Sequence, residues 1–170
     1  MINIPSYIKD PSYRYKMPKM VLKQESRLNG VKINIFNLDD VARSLRVSNE
    51  AILKYMCADL GASSEKTSII KGMHDYEKLL KCLDKFIEKY ILCKKCNYPE
   101  TSLFAQNKQK ELKARCRACG TVSSLDSSHR AGVALLKNLP KNMSEIDGVD
   151  EEKTKDKSKK DKKKGKKGEE

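Results

Sequence analysis

The alternation of apolar and polar residues divides the chain into a strand pair, two short helices, a long amphipathic helix and a cysteine-bearing hairpin. Val31-Lys32-Ile33-Asn34-Ile35 has a period of two, which predicts a half-buried strand with Lys32 and Asn34 on its wet face. Met20 to Lys23 predicts a partner strand. Between them the polar run from Glu25 ends in Asn29-Gly30, a dipeptide suited to the positive-φ positions of a tight turn. A β-hairpin follows.

The period then lengthens. Asn37 or Asp39 suits the cap of a short helix through Leu45, with Val41, Ala42 and Leu45 inward. Ser48 is placed to cap a second helix from Asn49 to Leu60, and Gly61 falls where a helix ends in a left-handed residue. Ile52, Tyr55, Met56 and Leu60 form that helix's apolar stripe, leaving Glu50, Lys54 and Asp59 off it. Ser68 to Lys71 reads as another strand. From Asp75 to Leu92, Leu79, Leu80, Leu83, Phe86, Ile87 and Tyr90 recur on one helical face. The order ββααβα over residues 19–92 predicts a small mixed domain of the α+β class.

The flanks differ in kind. Residues 1–18 hold Pro5, Pro11 and Pro18 without sustained periodicity, which predicts a flexible, extended basic arm. Residues 141–170 contain almost nothing apolar and predict a disordered, lysine-rich tail, because too little surface can be buried to offset chain entropy.

Residues 93–140 carry the strongest structural signal. Cys93-Lys94-Lys95-Cys96 and Cys116-Arg117-Ala118-Cys119 are two CxxC knuckles separated by 19 residues. Four thiolates at that spacing match a tetrahedral structural zinc site of the ribbon type, with no open position for catalysis. Asn97 and Gly120 follow the knuckles, and both residue types tolerate a left-handed backbone. Thr101 to Ala105 and Leu112 to Arg115 predict strands around a polar turn at 107–110, and Ala131 to Leu136 predicts a short closing helix before Pro140. Cys57 and Cys82 lack CxxC partners and read as buried thiols.

Charge adds a partner class. The net charge is +13, and the last twenty residues hold 10 lysines against 6 acids, so +9 remains in residues 1–150. Such a field favours RNA, DNA or a nucleotide-bearing partner. No 18-residue apolar run exists, so no membrane span is expected. An early proline and charges stand where a signal peptide would be apolar, which points to the cytoplasm and, there, to metal-bound cysteines over disulfides. A Gly-rich phosphate loop, an HExxH motif and a nucleophile triad are all missing, and His74 and His129 stand alone, so the chain is not expected to be an enzyme in its own right.

Two functional readings meet these facts. Val41 to Ser48 followed by Glu50-Ala51-Ile52 has the look of a helix-turn-helix, which with a zinc ribbon suggests a DNA-binding transcription factor. Its second helix would offer bases one cation, Lys54, beside Glu50 and Asp59, a poor face for a major groove. The other reading starts at Tyr13-Arg14-Tyr15-Lys16-Met17-Pro18, two cations set between aromatic rings and a proline, a pattern suited to a polyanion.

That stretch, with Asn29-Gly30-Val31-Lys32, Leu60-Gly61-Ala62, the run from Phe86 through Cys93 and Cys96 to Thr101, Cys116 to Gly120 and Leu136 to Pro140, closely resembles the N-terminal domain of eukaryotic translation initiation factor 5. The likeness is collinear over Tyr13 to Pro140. The beta subunit of initiation factor 2 shares that fold and ribbon, which keeps a beta-subunit-like component as an alternative, but Tyr13 to Pro18 is characteristic of factor 5. The resemblance implies a GTPase-activating protein for the GTP-bound gamma subunit of initiation factor 2. It would work on the small ribosomal subunit, beside initiator tRNA and ribosomal RNA, when the start codon is found. By position, Arg14 matches that family's arginine finger, and Lys32 and Lys54 match two lysines implicated in the same activity. Members of the family continue past an acidic linker into a HEAT-type helical domain. This sequence instead runs into lysines up to Glu170, so the resemblance does not imply that domain's tethering roles.

Overall fold

The computed structural model describes residues 1–27, 30–106 and 111–139. The expected turn residue Asn29, the polar turn at 107–110, Pro140 and the lysine-rich segment 141–170 lie outside the described residues.

The N-terminal stretch departs from the expected free arm. β1 (Ile2–Asn3) pairs antiparallel with β2 (Lys16–Met17), and the Ile4 N–H donates to the Tyr15 carbonyl at 3.0 Å. The loop between them is closed from within and without. Asn3 Nδ2 donates to the carbonyls of Ile8 and Asp10, and Ser6 donates from both backbone and hydroxyl to the Asp84 carboxylate on a later helix. Three prolines prevent a long ladder, since each lacks an N–H. They do not prevent single apolar anchors from docking: Ile4, Met17 and Met20 are all buried.

β3 (Leu22–Arg27) and β4 (Gly30–Ile35) form the predicted hairpin in the register Leu22↔Ile35 to Arg27↔Gly30. β3 begins and ends later than the apolar pattern suggested. At a sheet edge the ladder satisfies the backbone whatever the side chains, so the polar Gln24-Glu25-Ser26 pairs as well. β5 (Ser64–Glu65), which no pattern announced, and β6 (Ile69–Lys71) complete the order β3-β4-β6-β5, all antiparallel. Ile33, Ile35 and Ile70 turn to the core.

α1 (Leu38–Ser44) buries Leu38, Val41 and Ala42. Asn37 precedes it but spends its amide elsewhere, accepting from Val21 N–H at 2.7 Å and donating to Lys19 O at 2.6 Å, which locks the helix start to the first hairpin. α2 (Asn49–Leu60) ends at Gly61, whose φ of 62° is the expected left-handed stop. α2 buries Ala51, Ile52, Leu53, Tyr55, Met56 and Cys57 because it packs against α1, α3 (Tyr76–Tyr90) and α4 (Arg130–Asn138). What α2 leaves outward is Glu50, Lys54, Ala58 and Asp59, a face with more acid than base, which weighs against the helix-turn-helix reading. α3 buries Leu79, Leu83, Phe86, Ile87 and Tyr90 along its predicted stripe, with Cys82 beside them.

β7 (Thr101–Gln106), β8 (Glu111–Cys116) and β9 (Val122–Leu125) make an antiparallel sheet in chain order. The core of this sheet is continuous with the rest: Leu103, Leu112, Leu125, Ala131, Ala134 and Leu135 join the same buried cluster as Ile52 and Phe86. The rings of Tyr55, Phe86 and Tyr90 meet at its centre, with centroids 5.3–6.1 Å apart. His129 stacks 5.0 Å from Tyr55 and accepts the Ala131 N–H on Nδ1, so it caps α4.

Two features hold α4 in place and make predictions. Gly132 sits inside a helix because a Cβ there would lie 2.5 Å from the Asp126 carbonyl oxygen. Gly132→Ala is expected to destabilise the protein by about 1–3 kcal/mol, in the range of core overpacking, measured by urea unfolding; an unchanged midpoint would contradict this contact. Asp126 itself accepts from Lys89 Nζ at 2.8 Å and from Ser128 N–H at 2.9 Å, while its carbonyl accepts from the Tyr90 hydroxyl at 3.1 Å. The Lys89 hydrogen bond, then the Ser128 backbone, hold its carboxyl below the usual carboxylate range. Asp59, Glu50 and Glu65 are lowered likewise by hydrogen bonds, Asp59 chiefly from Cys82 and the two glutamates from Lys54 and Lys32. A lowered carboxyl binds fewer protons folded than unfolded, so its contribution is complete above the unfolded pKa and is lost as pH falls through the folded one. Melting temperature is therefore expected to fall on acidification through the carboxylate range, and to fall less steeply in Asp126→Asn.

A candidate metal centre and the arginine-bearing segment beside it

The two knuckles repeat one backbone design. Cys93 N–H donates to Tyr98 O at 3.1 Å and Asn97 N–H returns to Cys93 O at 2.9 Å; Cys116 N–H donates to Thr121 O and Gly120 N–H returns to Cys116 O, both at 2.9 Å. Each turn needs a left-handed residue at its fifth position, and Asn97 (φ 57°) and Gly120 (φ 72°) supply it as their residue types predicted. The result brings the sulfurs of Cys93, Cys96, Cys116 and Cys119 within 4.8 Å of one another. Cys93 Sγ lies 3.6 Å from Cys119 Sγ, and Cys96 Sγ lies 3.5 Å from Cys116 Sγ. The set is able to hold a metal ion. Burial pushes the Cys116 thiol up to about 12. The Thr121 hydroxyl, 3.3 Å from Cys119 Sγ, together with its backbone N–H, pushes Cys119 down to about 6 and favours thiolate there. Cys57 and Cys82 are buried apart from this cluster, and the Cys82 thiol donates to Asp59 at 3.0 Å.

Tyr13 to Pro18 is seated on this module. The Tyr15 ring lies 5.6 Å from Tyr13 and 6.2 Å from Tyr98, the residue that closes the first knuckle. The Tyr15 hydroxyl donates to the Glu100 carboxylate, and that hydrogen bond, ahead of burial, keeps the phenol above its ordinary pKa and neutral. Glu100 in turn accepts the Arg117 N–H on its backbone carbonyl at 2.8 Å, which joins the second knuckle to the same point. Arg14 separates the two tyrosines in sequence. It is exposed, with its guanidinium 5.9 Å from the Tyr15 ring centre, and forms no ion pair with any described residue.

Lys32 and Lys54 are placed differently. Lys32 on β4 pairs with Glu65 on β5, across the outer face of the sheet. Lys54 pairs with Glu50 one turn earlier on α2, at 2.5 Å. Neither lines the cleft that Arg14 borders, a cavity of about 470 Å³ between the N-terminal hairpin, the α1–α2 turn and the entry to β7. Sequence reasoning also missed Glu100 and Arg46, which line that cleft. Glu100 carried no signal beyond its place after a proline. Arg46 followed a predicted helix end, where a left-handed residue was required.

Comparison with known proteins agrees with this geometry. The family described as the domain found in initiation factors 2B and 5 matches residues 5–122, which spans β2 to β8, helices α1 to α3 and both knuckles. The chain is 38% identical over 145 residues to eukaryotic translation initiation factor 5 of Caenorhabditis elegans, covering 82% of this chain and 33% of that protein. It is 37% identical over 146 residues to the factor of Mus musculus (83% and 34%), and 41% identical over 136 residues to that of Zea mays (77% and 30%). The chain thus spans about a third of the length of these relatives. No helix among the described residues is long and apolar enough to cross a membrane. With the matched span enclosing both the thiol cluster and the arginine-bearing segment, the chain belongs to the family of the domain shared by initiation factors 2B and 5, and is similar to the N-terminal domain of factor 5.

Proposed function

We propose that this chain acts as a GTPase-activating protein for initiation factor 2, delivering Arg14 to the GTP-bound gamma subunit on the small ribosomal subunit, in the cytoplasm. The observation that carries the reading is Arg14 itself: an arginine displayed on a pinned hairpin, beside the Tyr15 ring, with no carboxylate of the described residues to neutralise it. Phosphoryl transfer leaves little covalent work to protein, and a charge delivered to the developing phosphate oxygens is the main lever. Arginine fits because it stays protonated and presents a planar fork. Lys32 and Lys54 contribute in this reading as docking cations. Each must exchange its own glutamate for an acidic group of the partner, so each is worth less than Arg14.

The four thiols are read as a structural zinc site. Zinc with sulfur at about 2.3 Å in a tetrahedron spaces the sulfurs about 3.8 Å apart. Two pairs, at 3.5 and 3.6 Å in a cluster spanning 4.8 Å, suit that ion. All four donors are protein thiols, so bound zinc would supply rigidity and no open coordination position. In this division residues 19–92 are the α+β body, 93–140 the zinc ribbon with its closing helix, and 1–18 the segment that presents Arg14. The lysines of 141–170 add nonspecific attraction to ribosomal RNA.

The deciding experiment is single-turnover GTP hydrolysis in reconstituted preinitiation complexes, comparing the wild-type chain with Arg14→Met. A chain that instead replaces the beta subunit in assembling initiation factor 2 would move the assignment to the beta-subunit alternative.

A further inference from the structure

The wall of the cleft beside Arg14 carries more cations than acids. Arg14, Lys16, Arg46 and Arg117 line it, against the single carboxylate of Glu100. Glu100 is already engaged by the Tyr15 hydroxyl. Lys16 Nζ donates to Pro11 O at 2.8 Å and Arg117 Nε donates to Ser102 Oγ at 3.0 Å. Arg14 and Arg46 pair with no acid among the described residues. Like charges gathered in one concavity repel, and an anion entering it relieves that repulsion while gaining several charge-assisted hydrogen bonds.

Arg46 is the unusual member. α1 closes with a Schellman motif: Val47 N–H reaches Ala42 O at 3.0 Å and Arg46 N–H reaches Arg43 O at 3.1 Å. The residue at Arg46 must therefore be left-handed, and its φ is 57°. Glycine or asparagine occupies that position at least cost, whereas a long side chain is strained there. Strained residues cluster at functional sites, and this one opens onto the cleft.

We propose that this cleft is a binding site for a phosphomonoester group, with Arg46 as its principal ligand and Arg14, Arg117 and Lys16 completing the cationic wall. The guanidinium fork matches two phosphate oxygens at once, and a dianion answers the excess of cations better than a carboxylate can. The volume of about 470 Å³ lies in the range of small-ligand sites and suits one such group in preference to an extended nucleic-acid strand. The inference goes beyond the GTPase-activating reading, because it concerns binding by this chain alone and stands whether or not hydrolysis is stimulated.

The test is titration of the whole chain, followed by amide NMR shifts at physiological ionic strength. The probes are inorganic phosphate, a phosphoserine peptide and the same peptide with glutamate in place of phosphoserine. Shifts are expected at residues 44–46 and 99–101 with phosphate and phosphopeptide, and weak or absent shifts with the glutamate peptide. If only the phosphopeptide saturates, the source is a phosphorylated protein; if phosphate alone saturates equally, it is a free phosphate. Arg46→Asn keeps a residue that tolerates the left-handed turn and removes the charge. It should retain stability and weaken phosphate binding roughly tenfold or more. Arg43→Gln, which disrupts only the exposed pair with Asp40, should bind as wild type. Equal binding of the glutamate peptide, undiminished binding by Arg46→Asn, or tighter binding of single-stranded RNA that ignores Arg46 would overturn the proposal.

Discussion

Arg14→Met is expected to remove most of the stimulation of GTP hydrolysis, by roughly 10³-fold or more if the arginine acts as fingers do in well-understood GTPases, while melting temperature and metal content stay at wild-type values. Stability should survive because Arg14 is exposed and its one described contact is a ring at 5.9 Å. The hairpin is held by its neighbours, through Met17 and Ile4 in the core and the Tyr15 hydroxyl on Glu100. Methionine keeps the length and much of the apolar stem but lacks the charge and the fork. Arg14→Lys separates the two: partial activity would mean that charge suffices, and none would mean that bidentate geometry is required. Undiminished single-turnover hydrolysis by Arg14→Met, with the complex still formed, would sink the finger role outright. Lys32→Ala and Lys54→Ala should lose far less, because each lysine already spends its charge on Glu65 or Glu50.

The second large effect is expected on removal of the zinc proposed for the four thiols. Zinc binding contributes on the order of 10 kcal/mol or more to folding of four-ligand modules, so chelation or Cys96→Ser should melt β7–β9. The loss should not stop there. Leu103, Leu112 and Leu125 share one core with the helices, and α4, which follows the module, packs on α2. Tyr98 and Glu100, which seat Tyr15, both lie in the ribbon entry. Stimulation of hydrolysis is therefore expected to disappear with the metal although Arg14 is chemically intact, and to return when zinc is restored under reducing conditions. Elemental analysis finding no metal in the folded protein, or a chelated protein with unchanged amide exchange in β7–β9, would contradict this.

Much of the architecture was legible in residue pattern. Period two marked β4, and the 3.6-residue stripes marked α2 and α3 nearly to their ends, because each buries one face of a regular element. Gly61, Asn97 and Gly120 marked left-handed stops from residue type alone. The two CxxC knuckles identified the thiol cluster without reference to anything distant, since its ligand spacing is local within each knuckle. The short strands β1, β2, β5 and β9 were not legible. Runs this short carry no measurable period, and pairing was decided by what lay opposite; the three-residue β6 was legible only through its adjacent isoleucines.

By itself the sequence determined the kinds of element, the four-cysteine cluster and, through family likeness, Arg14 as the residue of interest. Only the tertiary structure decided where Tyr13 to Pro18 goes. A proline-rich segment reads as a free arm because it lacks local order, yet Ile4, Met17 and Ser6 find partners up to 78 residues away and close it into a hairpin beside the four-cysteine module. The same long-range packing enclosed α2 among three other helices and gave Lys32 its glutamate. It also brought Arg46 to the cleft that Arg14 borders. Those outcomes depend on contacts between distant residues, which no local period or spacing encodes.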